Sequence, residues 1–140
     1  FKEAANKNVA IIARVPLASG LLTGKMNKES SFPENDHRNY NINGDAFDIG
    51  ETFSGVDYKK ALDVVEEIKL LVPDKFSLSQ LALKWILMHK EVSVVIPGAK
   101  TTDQALLNIS SSLMPPIDGL MEAIENIYKS NLKTDIHHRW

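Results

Sequence analysis

The chain contains no cysteine in its 140 residues. That excludes disulfides, a thiolate nucleophile and any cysteine-based metal site, and it agrees with a reducing, cytoplasmic setting. No apolar run approaches the roughly 20 residues that a membrane span needs, and no secretory signal is visible. Charge of one sign is also missing: 16 Lys and Arg against 18 Asp and Glu leave a net charge of −2. Composition thus gives no reason to expect nucleic acid or an anionic membrane as a partner. No internal repeat or low-complexity tract occurs. Histidine offers little for metal, since the adjacent His137 and His138 cannot readily chelate one ion from an extended tail. What remains is 44% hydrophobic and 24% charged, the balance of an ordinary globular protein.

Two short apolar runs, Val9–Ala13 and Val92–Ile96, are continuous rather than alternating. That is the pattern of parallel strands covered on both faces. Between and after them the periodicity is helical. Ser54-x-x-Asp57 is a capping signature ahead of Tyr58, Ala61, Leu62, Val65, Ile68 and Val72, with Pro73 as the stop. Ser77-x-x-Gln80 opens a second helix that should bury Leu78, Leu81, Ala82, Trp85 and Ile86. Thr101-x-x-Gln104 opens a third, carrying Leu106, Leu107, Ile109 and Leu113 and broken by Pro115-Pro116. A last helix from Asp118 to Lys129 sets Leu120, Met121, Ile124 and Ile127 on one face. Phe1-Lys2-Glu3-Ala4-Ala5 reads as the final turns of a helix entering the first strand. Alternating strands and helices imply a parallel sheet. Two strands alone would leave an apolar face and edge uncovered, so the remaining strands are expected from a preceding segment or another chain.

The chemistry sits where the strands end. Pro16-Leu17-Ala18-Ser19-Gly20-Leu21-Leu22-Thr23-Gly24-Lys25 and Ile96-Pro97-Gly98-Ala99-Lys100 both combine small residues with a terminal lysine. The second runs straight into a capped helix. Such segments present backbone N–H groups and positive charge to a phosphate. In a (β/α)₈ barrel the phosphate site is commonly built from the loops after strands 7 and 8. The expected fold class is therefore α/β, the C-terminal portion of a (β/α)₈ barrel with strands 7 and 8 and their flanking helices. At 140 residues the chain is shorter than the roughly 250 of a whole barrel. Met26 to Gly55, polar and without periodicity, reads as a long irregular loop of the kind that serves as a lid. His37 and Arg38 within it read as solvated loop residues in preference to ligand contacts.

Val9 to Lys25 resembles the seventh strand and following loop of aldo-keto reductases. Ile96 to Asn108, with Ile-Pro-Gly-Ala, Gln104 and Asn108, resembles the segment after their eighth strand. Phe32-Pro33-Glu34-Asn35-Asp36-His37-Arg38-Asn39 and the ending His137-His138-Arg139-Trp140 are similar to a bacterial NADPH-dependent branch. The resemblance covers essentially the whole chain and implies residues 1–140 as the C-terminal part of a single barrel. It implies NADP(H) as cofactor and a small aldehyde or ketone as substrate, reduced to the alcohol.

On that resemblance Pro16, Leu17, Ala18, Ser19 and Gly20 would line the pyrophosphate and adjoining ribose, with Arg14 near the nicotinamide end. Lys25 would approach the pyrophosphate. Gly98 and Lys100 would meet the adenosine ribose and its 2′-phosphate, and Gln104 and Asn108 the 2′-phosphate and adenine. Two positions depart from the family: Arg14-Val15 stands where an aromatic residue and serine are common, and Leu107 where glutamate is frequent. The family's catalytic tyrosine, lysine, aspartate and histidine belong to earlier strands. Tyr40, Tyr58 and Tyr128 match none of those motifs, so no catalytic residue is expected here and the isolated segment should be inactive. The rival readings are a non-catalytic NADP(H)-binding sensor or scaffold subunit of the same fold, and a free-standing small α/β interaction domain.

Overall fold

The computed structural model describes residues 1–139; Trp140, part of the tail motif, lies outside them. Helix α1 (Lys2–Asn6) leads into strand β1 (Ile11–Ala13), and after a long excursion helices α3 (Tyr58–Lys69) and α4 (Leu78–Leu87) bring the chain to strand β2 (Val92–Val95). A short helix α2 (His37–Tyr40) interrupts the excursion, and α5 (Thr102–Ser110), α6 (Asp118–Asn131) and α7 (Lys133–Ile136) follow β2. The strands pair in parallel, with an irregularity after Ile11 that opposes Ile12 to Val94 and Ala13 to Val95. Parallel pairing requires a crossover, which α3 and α4 supply. Among the described residues no helix is long and apolar enough to cross a membrane.

The caps explain where the helices start. Asp57 accepts the Lys60 N–H at 2.9 Å and begins α3. Ser54, the expected partner in that cap, instead lies in a 3₁₀ turn at φ +58°. Ser77 and Gln80 form the expected reciprocal box. Gln80, buried, also donates from Nε2 to Ser110 Oγ at 2.9 Å and so ties α4 to α5.

The main core does not lie beneath the sheet. Leu21, Phe53, Ala61, Leu62, Val65 and Leu78 form it, with Met26, Phe32 and Tyr58 against it. It therefore joins α3 and α4 to the segment after β1. Phe53 stacks at 5.0 Å from Tyr58 and 5.9 Å from Phe32, centroid to centroid. In α4 the fully buried apolar residues are Leu78, Leu81 and Leu83, while Ala82, Trp85 and Ile86 are half-buried. The expectation missed Leu83 because this helix is covered on more than one side, by the turn after β1, by β2 and by α5. Helix α5 buries nothing: Leu106 and Ile109 are 58% and 63% exposed. Of the α6 face only Ile127 is fully buried. The sheet is bare on one side, with Ile12 and Val94 exposed, as expected of two strands alone.

The stretch from Met26 to Gly55 corrects the expectation of an irregular loop. It contains α2 and two 3₁₀ turns, Ile49–Glu51 and Phe53–Gly55. Asn41, Thr52 and Phe53 in it are almost completely buried. Asn41 Oδ1 accepts the N–H groups of Ala46 and Phe47 at 2.9 and 2.8 Å, and its Nδ2 donates to Thr52 Oγ1 at 3.1 Å. One asparagine thus satisfies backbone that a fold without regular structure would leave unpaired. Polar periodicity carries no trace of such fastening, which is why it was invisible in the sequence. Asn41→Ala should lower stability by about 1–3 kcal/mol, because the buried Thr52 hydroxyl and two part-buried backbone N–H donors lose their partner together. Thermal unfolding of the full-length protein checks this; a loss near zero would mean that water already serves those groups.

Candidate functional site

Because β1 and β2 are parallel neighbours, the two lysine-tipped loops leave the sheet side by side at one end. The bond from Ile96 N–H to Ala13 C=O, 3.0 Å, marks where they part. The first loop is strained. Val15, Ala18 and Ser19 have φ of +49°, +47° and +56°, and Gly20 has +97°. A β-branched residue in the left-handed region is an outlier, and such residues persist only where surroundings over-determine them.

The surroundings here are identifiable. Ser19 Oγ accepts the Phe53 N–H at 3.2 Å and donates to the Glu51 carbonyl at 3.4 Å. Thr23 Oγ1 donates to the Gly20 carbonyl at 2.7 Å, and Leu21 is sunk in the core. Gly20 is needed for its φ; a Cβ there would come within 2.9 Å of Met26 Cε, and that flexible side-chain end would have to move aside. Phe53 and Ser54 are themselves left-handed, at +50° and +58°. Two strained runs therefore face each other, joined by one serine hydroxyl.

The second loop is held from the helix that follows it. Thr101 Oγ1 accepts the Gln104 N–H at 3.2 Å and caps α5. The return bond is not to Thr101: Gln104 Oε1 accepts the Lys100 N–H at 2.6 Å. Asn108 Nδ2 donates to the Gly98 carbonyl at 3.2 Å. Gln104 and Asn108 thus first shape the loop, and among the described residues Gln104 Nε2 makes no hydrogen bond. Gly98 is different from Gly20: its φ is unremarkable and a Cβ would meet nothing within 4 Å. Neither backbone geometry nor packing among the described residues demands a glycine there, and the open space suits close approach by a ligand.

Charge around the loops falls into two kinds. Lys25 and Lys100 are exposed, and among the described residues no carboxylate pairs with either. The arginines are constrained. Arg14 meets Glu51 in a bidentate pair, both N–O distances 2.8 Å. Hydrogen bonding and charge in that pair hold the Glu51 carboxyl below its ordinary range. Arg38 makes two bonds to Asp36, Nε–Oδ1 at 2.9 Å and Nη2–Oδ2 at 2.6 Å, and lies 4.5 Å over the Phe32 ring. Its remaining Nη1 stands beside Gly20, 3.7 Å from where a Cβ would be. Arg38 is half-buried and aimed at the strained loop, which corrects its reading as a solvated residue. The Asp36-x-Arg38 spacing, which lets one carboxylate cap α2 and clamp the guanidinium, was the available signal. Glu51 left no comparable mark in the sequence.

The tyrosines do other work. Tyr58 O–H donates to the Asn27 carbonyl at 2.9 Å, and the Tyr128 hydroxyl pairs with His137 Nδ1 at 3.0 Å. His37 Nδ1 lies 3.2 Å from Thr52 Oγ1. Among the described residues no group of three metal-ligating side chains converges. A shallow hollow of about 420 Å³ opens at the opposite end of the strands, between Ala4, Val9, Lys90 and Ser93. The lysine-tipped loops do not line that hollow.

The Arg38 hydrogen bonds hold the Asp36 carboxyl well below the usual carboxylate range. A depressed acid stabilises the fold above its unfolded pKa and loses that contribution only as pH falls through its folded value. A ¹³C carboxyl titration should therefore find Asp36 still ionised at the pH where the unpaired carboxylates protonate. Titration together with them would mean that the clamp is open in solution.

Comparison with known proteins adds family. The Aldo/keto reductase family model matches residues 1–129. The aldo-keto reductase str7 of Strobilurus tenacellus is 35% identical over 94 residues, 66% of this chain and 25% of that protein. The NADP(+) aldo-keto reductase yakc of Schizosaccharomyces pombe is 28% identical over 101 residues, 71% of this chain and 27% of that one. A probable voltage-gated potassium channel subunit beta of Arabidopsis thaliana is 28% identical over 143 residues, 96% of this chain and 40% of its own. The solved glycerol dehydrogenase of Gluconobacter oxydans superposes with a TM-score of 0.72 at 25% identity, covering 94% of this chain and 37% of its own. The chain thus spans a quarter to two fifths of the length of these relatives.

Proposed function

The chain belongs to the aldo/keto reductase family, and from that premise we propose that residues 1–140 form the C-terminal part of a (β/α)₈ barrel in a cytoplasmic oxidoreductase. In this reading β1 and β2 are the barrel's seventh and eighth strands, and the full protein reduces an aldehyde or ketone to an alcohol with NADPH. The observation that carries it is the pair of loops at one end of the sheet, each tipped by an unpaired lysine, one strained and braced, the other leaving open space at Gly98. The yakc relative's NADP(+) supports the choice of cofactor. The exposed sheet face and α5 stripe support a fold completed by further strands and helices. An accessible surface of 9034 Å² also exceeds the about 7,200 Å² that a compact monomer of 15.6 kDa presents.

NADPH, when bound, supplies a hydride. The residues of this chain hold and orient it. Pro16 to Gly20 line the pyrophosphate and ribose, with Lys25 and the clamped Arg38 as the facing cations. Arg38 enters with its orientation already set by Asp36 and Phe32, so little rotamer freedom is lost on binding. Lys100 beside the start of α5 adds charge to the helix dipole at one anion, the 2′-phosphate. Gln104 and Asn108 maintain that loop's shape while Gln104 Nε2 faces the adenosine end. Arg14 stands at the nicotinamide end with its guanidinium plane fixed by Glu51. Proton donation to the product alkoxide falls to residues elsewhere in the barrel. The match to a channel subunit beta supports a second reading, an NADP(H)-binding subunit without turnover; an intact tyrosine, lysine, aspartate and histidine set in the rest of the barrel separates the two.

Two measurements test the proposal. Lys100→Met in the full-length protein should weaken NADPH binding about ten- to a hundredfold, the worth of a charge-assisted contact, and leave NADH nearly unchanged. Equal losses for both cofactors would make the lysine structural. The isolated 140-residue chain should show no NADPH oxidation with a panel of aldehydes; turnover at ordinary enzyme rates would overturn the absence of a proton donor.

A further inference from the structure

The C-terminal arm reaches the strained turn from its outer side. Helix α7 and the turn His137–Arg139 follow α6, and α7 is tied to the first turn of α3. Lys60 Nζ meets Asp135 Oδ2 at 2.6 Å, Ile136 is buried, and Tyr128 holds His137. From this anchorage Arg139 extends to the 50–55 turn. Gly55 has φ +71°, and a Cβ on it would come 2.6 Å from Arg139 Nη1 and 3.6 Å from Gly50 Cα. The guanidinium therefore rests on the bare Cα surface of Gly55. Any side chain at 55 would both strain the backbone and displace the arginine. The turn so covered carries Glu51 and Phe53, whose partners are Arg14 and Ser19 in the loop after β1.

We propose that Arg139 is a positioning residue for the loop after β1, acting through the 50–55 turn. Three successive residues at positive φ, Phe53, Ser54 and Gly55, stay in place only if neighbours hold them on several sides. Burial of Phe53 holds them from within and Ser19 from the loop side. Arg139 holds them from outside. The contact itself is independent of any ligand; its consequence for cofactor binding rests on the NADP(H) reading above.

The test is hydrogen exchange on the full-length protein without ligand, for Arg139→Ala, Arg139→Lys and Gly55→Ala, with Lys129→Ala on α6 as control. NADPH affinity is then read by fluorescence titration. Arg139→Ala should speed exchange at 48–55 and 15–25 by about tenfold while the α3 and α4 cores keep their protection. It should weaken NADPH by about threefold to tenfold. Arg139→Lys should restore only part, because an ammonium cannot cover a glycine as a plane does. Gly55→Ala should loosen the same two segments, and adding Arg139→Ala to it should change little further. Unchanged exchange at 48–55 in Arg139→Ala overturns the proposal. So does a rise spread evenly over the protein with a lowered Tm, or faster exchange with NADPH affinity intact. If the unmodified protein binds no NADPH, the cofactor reading fails while the exchange result still decides the role of Arg139.

Discussion

The hydroxyl of Ser19 joins two backbone runs that neither could hold alone. Residues 15 to 20 and 53 to 55 both visit the left-handed region at non-glycine positions, at a cost of about 1–3 kcal/mol for each such residue. They meet through Ser19 Oγ, which takes the Phe53 N–H and gives its own proton to the Glu51 carbonyl. On either side of that bridge a large side chain is buried, Leu21 from one run and Phe53 from the other. Full burial of such side chains, at about 1.5–3 kcal/mol each, offsets part of that strain. The core is thus placed under the loops rather than under the sheet because the loops are what must be held.

The same arrangement sorts the charges. Arginine's planar fork suits fixed bidentate pairing, and both arginines near the site are fixed, Arg14 by Glu51 and Arg38 by Asp36 with Phe32. The lysines, compact point charges on flexible stems, stand at the loop tips unpaired. Arg14 and Glu51 neutralise one another at the end of β1, whereas Arg38 keeps one N–H group directed at Gly20. Each loop tip is thereby left with one unpaired positive charge among the described residues, although the chain as a whole carries a net charge of −2.

Features set by local chemistry were legible in the sequence. The boundaries of α4 and α5 follow from Ser77, Gln80 and Thr101, and the parallel strands from two continuous apolar runs. The two loops and their lysines were found from strand ends and small residues. What escaped depends on contacts between distant residues. Glu51 is 37 positions from Arg14 and Phe53 is 34 from Ser19, and a periodicity reading has no access to such pairs. Asn41 looks like any loop asparagine until its amide is seen inside the 41–52 fold. Leu106 and Ile109 show the converse: their helical spacing is right, yet their face finds no cover among the described residues.

That unequal coverage has a physical sense. The loop end of the chain buries its own aromatic cluster and closes its own hydrogen bonds, so its shape is determined locally. The sheet and α5 do the opposite. Ile12, Val94 and Ile96 present an apolar face, and β1 and β2 each keep one unpaired edge. Strand edges and apolar sheet faces are stable only when covered, and a pair of strands cannot cover itself. Assembly of the sheet therefore depends on what packs against it, while the braced loop brings most of its geometry with it. What covers the sheet can therefore vary without redrawing the loop that Ser19, Phe53 and Asp36 hold in place.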